Sequence, residues 1–149
     1  VPEVYEILDL VAQKDAVLAT GHLDAREAQA LARLALERGV QRVLVTHPDF
    51  CSIRMPLEEQ KQLCRLGAFV EKTALSHRPE WEGLPYDHFV AHLHALDPSR
   101  VVLTSDFGQL ASGPPYPSFL EFLTGLLAAG VRESVLERVI RHTPQELLS

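Results

Sequence analysis

AVLATGHLDAREAQALARLALERGVQRVLVTH, residues 16–47, decides how this chain is read. It opens on an apolar run, Ala16–Thr20, that reads as a buried strand and ends on Gly21 and His22. Asp24-Ala-Arg-Glu27 follows as a capping box: the Asp24 side chain accepts from the free N–H groups of a first helical turn, with Glu27 at the third helical position. The helix so started runs to about Arg38, and Gly39 closes it as a left-handed cap. Val43–Thr46 is a second apolar strand, and it too ends on a histidine, His47. Near-continuous apolar strands joined by a helical crossover are the signature of a parallel sheet covered by helices.

Working outward, the same unit recurs. Glu3–Ala12 reads as a short amphipathic helix with Val4, Ile7, Leu8 and Val11 on one side. Pro56 opens a helix that runs to about Leu66 with Gly67 behind it. Ala68–Lys72 is a third strand, Tyr86–Leu96 a third crossover helix and Val101–Thr104 a fourth strand. A loop with Gly108, Gly113, Pro114, Pro115 and Pro117 leads to helices at Phe119–Ala129, Glu133–Ile140 and Pro144–Leu148. The expected fold is therefore α/β, a single domain over 1–149 built of parallel (β/α) units with about four strands. A full (β/α)8 barrel needs ~250 residues, so four units are either a small open sheet or half of a barrel.

Three of the four strands end in a metal-ligand type: His22, His47 and Asp106. In a parallel sheet the C-terminal strand ends meet at one mouth, so residues far apart in sequence can share one ion. Imidazole is the commonest protein ligand for zinc-like ions, and Asp106 adds an anionic oxygen. Such a set leaves positions open for water or substrate, as a hydrolytic metal requires. A lone histidine at a strand end is ordinarily just hydrogen-bonded; agreement at three ends is what makes the pattern informative.

The motifs TGHL (Thr20–Leu23), VTHP (Val45–Pro48) and TSDFGQ (Thr104–Gln109), in this order, resemble the C-terminal half of the amidohydrolase superfamily, the TIM-barrel metal-dependent hydrolases. The resemblance implies that His22 and His47 are the metal ligands of the fifth and sixth barrel strands. It implies that Asp106 is the eighth-strand ligand and general base, with zinc the expected divalent ion and an amide or ester-type bond the target. The segment His142-Thr-Pro-Gln-Glu-Leu-Leu is similar to the helix that closes such barrels. The family also carries a His-x-His pair after its first strand; here the only such pair, His92 and His94, falls in a helical pattern. The expectation is a chain that corresponds to the later half of a barrel, either as a fragment or completed by a second copy or another polypeptide.

Composition narrows the partners. With 149 residues, 46% hydrophobic, 23% charged and a net charge of −6, the chain is an ordinary globular domain with no basic stripe for nucleic acid. No apolar run reaches the ~18–20 residues of a membrane span, and the first residues lack the pattern of a signal peptide. Cys51 and Cys64 read as free thiols of a reducing compartment. The expected partners are a small-molecule substrate and a homo-oligomer mate or missing N-terminal half, with no nucleic acid and no membrane, in the cytoplasm.

Other residues carry weaker signals. Glu71 and Lys72 end the third strand, and alternation points one of them inward. His88 and His92, four apart on one helix face, could chelate an ion, but the His88–His94 cluster reads as surface or packing. The loops Pro48–Met55, Ser76–Pro85 with Trp81, and Phe107–Pro117 stand where pocket walls form. No glycine-rich phosphate loop and no GxSxG elbow is present. Two alternatives to a hydrolase remain: a non-catalytic half-barrel stabilised by association, and a flavodoxin-like binding domain.

Overall fold

A computed structural model describes residues 2–149. Its elements alternate as expected: α1 (Pro2–Gln13), β1 (Val17–Ala19), α2 (Ala25–Glu37), β2 (Arg42–Val45), α3 (Leu57–Arg65), β3 (Phe69–Thr73), α4 (Tyr86–Ala95) and β4 (Val101–Thr104). Then come α5 (Pro115–Ala128), α6 (Glu133–Glu137) and α7 (Thr143–Leu148). The four strands form one all-parallel sheet in the order β1-β2-β3-β4. Each crossover steps the same way, and right-handed crossovers that never reverse put their helices on one face of the sheet. A doubly wound, flavodoxin-like sheet needs a reversal of strand order at its binding crevice. This sheet has none, so the order is that of half a (β/α) barrel.

Side-chain alternation splits the two faces. Val43, Val45, Val70, Val101 and Leu103 enter the main core beneath the helices, where Leu63, Phe89, Leu93 and Leu126 are fully buried. Ala28, Ala32 and Ala35 line one stripe of α2 at zero exposure, and their small size lets that helix lie close on the strands. The opposite face carries a smaller cluster: Phe69 and Val102 packed on Leu147 of α7, with Val17 and Leu44 partly covered. Toward β1 that face is open, and Ala19 is exposed.

The caps behave as the sequence requires. Asp24 Oδ1 accepts from the backbone N–H of Arg26 and Glu27, each at 2.9 Å, and Gly39 takes φ +84°. Two expectations shift. Helix α5 begins at Pro115 rather than Phe119, because prolines in a first turn forfeit only N–H groups that have no helical partner. The last two helices are continuous, joined by a π-turn at Arg138–His142 instead of a break. Pro144 has no N–H for the carbonyl four residues back, and the wider turn absorbs that mismatch. The Thr143 hydroxyl, buried there, donates to the Pro98 carbonyl at 2.8 Å.

Candidate metal centre

The turn after each strand decides where its polar side chain goes. His47 and Asp106 both adopt left-handed backbone, φ +46° and +55°. For residues with a Cβ this conformation costs on the order of 1–3 kcal/mol, and such strain concentrates at functional sites. Both turns are pinned. The His47 carbonyl accepts from Phe50 N at 3.0 Å, and the Asp106 carbonyl accepts from Gln109 Nε2 at 3.1 Å.

The strained turns aim His47 between two carboxylates. Its Nδ1 lies 3.0 Å from Glu71 Oε2 and its Nε2 lies 3.6 Å from Asp106 Oδ2. The Thr104 hydroxyl donates to the other Glu71 oxygen, Oε1, at 3.0 Å. The Glu71 contact lies off the line of the ring N–H, so Nδ1 has a close anionic neighbour without an aligned hydrogen bond. The His22 ring stacks on His47 with centroids 5.2 Å apart. His22 thus neighbours His47, and His47 neighbours Asp106, at the strand ends, but among the described residues these three do not bring donor atoms all within 4.8 Å of one another. Glu71 joins them because it shares the open face with Phe69, whereas Lys72 points the other way with Val70.

Electrostatics follow from this crowding. Burial pulls the His47 imidazolium down, but the Glu71 carboxylate, helped by Asp106, outweighs it and holds the pKa above the usual histidine value. Burial pushes the Asp106 carboxyl up, with His47 opposing and Glu71 adding to the rise. A cation at this mouth, whether a proton on His47 or a metal ion, is what the paired carboxylates stabilise.

A second polar cluster lies beneath the helices. Asp49, from the loop after β2, meets His88 and His92 of α4; among the described residues this is the trio whose donor atoms all lie within 4.8 Å of one another, close enough for a shared metal ion. The expectation of surface or packing residues gains a polar partner: His88 and His92 are half-buried, with His88 Nε2 3.4 Å from Asp49 Oδ2 and His92 Nδ1 3.6 Å from Asp49 Oδ1. Spacing placed both histidines on one helix face; only the fold brings Asp49 to them.

The cluster already holds a cation. Lys72 Nζ, fully buried, donates to Asp49 Oδ2 at 2.6 Å, Gln60 Oε1 at 2.7 Å and His92 Nδ1 at 2.8 Å. An ammonium has three N–H donors, and here each has an acceptor. His92 accepts, so it is neutral at Nδ1; burial and the ammonium push its pKa down to about 4. Burial acts to raise Asp49, but His88 and Lys72 overcome it and keep the carboxyl well below its ordinary range. A divalent ion at this trio would have to displace Lys72.

Residues 1–71 are similar to a family of unknown function, DUF6282, a stretch that takes in His22, His47 and Glu71 but not Asp106. Among curated proteins none matches the chain.

Proposed function

We propose that the chain is a metal-dependent hydrolase-like protein acting on an amide or ester-type bond, with one divalent ion, zinc by preference, at the strand-end mouth. The observation that carries this reading is His47 held between Glu71 and Asp106 on a strained turn. A metal-binding imidazole characteristically has its second nitrogen backed by a carboxylate, which fixes its orientation and raises its basicity. Glu71 supplies a carboxylate 3.0 Å from Nδ1, though off the line of the ring N–H; it is itself oriented by Thr104 and leaves Nε2 facing Asp106. His47 and Asp106 would hold the ion, and His22, stacked on His47, would have to turn toward them to complete the set. Two imidazoles and a carboxylate suit zinc. Such an ion polarises a carbonyl and acidifies water at neutral pH.

Asp106 has the second role. Its carboxyl is raised by burial and is partly open to the mouth, so it can take a proton from an attacking water and return it to the leaving group. The resemblance to amidohydrolases gives the same assignment. Equilibrium zinc binding tests the reading. One ion per chain is expected, lost in His47→Ala and Asp106→Asn and kept in His92→Ala. Loss only in His92→Ala would move the ion to the Lys72 cluster and sink the assignment.

A second reading, a half-barrel stabilised by association, is favoured by the open sheet. Among the described residues strand β1 pairs only with β2 and β4 only with β3, and the face bearing Val17, Ala19 and Leu44 is incompletely covered. The two readings are compatible if the associated chain helps to wall the mouth.

A further inference from the structure

A line of flat side chains leaves the strand-end mouth. His22 stacks on His47 at 5.2 Å; His47 meets the Phe50 ring at 5.1 Å; Phe50 meets the Trp81 ring at 6.5 Å. Phe50 comes from the loop after β2 and Trp81 from the loop after β3, so both stand on the side where the strands end. Trp81 is 44% exposed, a large apolar surface left in water beside a polar centre. A tryptophan whose task was only to fill the fold would be buried more completely.

The wall is built in advance of any ligand. Trp81 N donates to the Arg78 carbonyl at 2.9 Å, Gly83 N to the same carbonyl at 3.1 Å and Leu84 N to Ser76 O at 2.9 Å. His77 Nδ1 contacts the Leu84 carbonyl at 2.7 Å. Rigid aromatic surface costs a ligand little ordering entropy and favours flat partners through offset or edge contacts.

We infer that Phe50 and Trp81 form the specificity wall of the mouth and select substrates carrying an aromatic or similarly flat apolar group next to the bond attacked. This rests on the proposed function for the chemistry, but the wall itself can be tested without metal. Polar attachment at His47 and Asp106, followed outward by Phe50 and then Trp81, orders the substrate as a carbonyl group first and a ring beyond it. Acetyl-type or purely ionic substrates would leave the wall unused.

Trp81 is the chain's one tryptophan, so its fluorescence and its indole N–H resonance report on the wall directly. The metal-free protein is titrated with benzyl alcohol and, for comparison, with ethanol; the zinc-loaded protein is titrated with benzoate and acetate. Saturable Trp81 shifts are expected with the two aromatic probes, at least about tenfold tighter than with their small counterparts. Phe50→Leu should remove most of that ratio while leaving zinc uptake unchanged. Equal binding of aromatic and small probes, or a ratio that survives Phe50→Leu, overturns the wall. Failure of zinc uptake with a saturable benzyl alcohol response overturns the metal reading and leaves the wall standing.

Discussion

At the scale of single residues, His47 and Lys72 show how imidazole, carboxylate and burial combine in two different ways. His47 lies between Glu71 and Asp106, and its own proton is the positive charge that stands between the two carboxylates. Glu71→Gln keeps the shape and deletes the charge behind Nδ1. Zinc affinity should fall about 10–100-fold, read by competition with a chromophoric chelator, while the fold is retained. Lys72 is the opposite case. Its ammonium is the cation of the Asp49–His92 cluster, pulled down by burial and held by the Asp49 carboxylate. Lys72→Met leaves Asp49 buried without its partner and should cost about 3–5 kcal/mol in urea unfolding. Asp49 also sets a pH dependence. Its carboxyl is held below the ordinary value in the folded chain, so its contribution is complete above the unfolded pKa of about 3.9 and drains away as the pH falls through the lower folded one. The acid limb of the stability curve should therefore flatten in Asp49→Asn.

At the scale of elements, much was legible because punctuation residues state their purpose locally. Asp24 and Gly39 bracket α2, and the strand runs announce themselves by unbroken apolar stretches. The position of His22, His47 and Asp106 at the strand ends was legible because parallel strands end on one side; how closely their side chains approach one another was not. Glu71 was half legible: alternation required one of Glu71 and Lys72 to point inward, but the register that decides which is a property of the sheet. Asp49 carried no signal, since its partners come from an element forty residues away in sequence order (His88 and His92 on α4) and are met only across the core. The π-turn before Pro144 likewise required knowing that the turn and α7 pack against β4. Gly125 is a comparable case inside α5. It is there because Tyr86 at the start of α4 lies directly over it, and a Cβ would overlap the Tyr86 ring. Gly125→Ala gains helix propensity yet should destabilise by about 1–3 kcal/mol, measured by thermal or urea unfolding.

At the scale of the whole molecule, the sheet is one-sided. Helices cover one face; α7 covers only part of the other through Leu147, and both edge strands have a free side. No helix among the described residues is long and apolar enough to cross a membrane. Association is the expected outcome. Light scattering should give a mass above that of one chain, and Ala19→Lys, which places a charge on the open face beside β2, should shift it toward the monomer. A well-dispersed monomer at all concentrations would remove the case for association without touching the metal assignment. That assignment is the central claim, and it is tested most directly by locating the ion: crystals of the zinc-soaked protein, measured at the zinc edge, should show one anomalous peak bonded to His47 Nε2 and Asp106, whereas a peak among Asp49, His88 and His92 with Lys72 swung aside, or no ordered zinc at all, would contradict it.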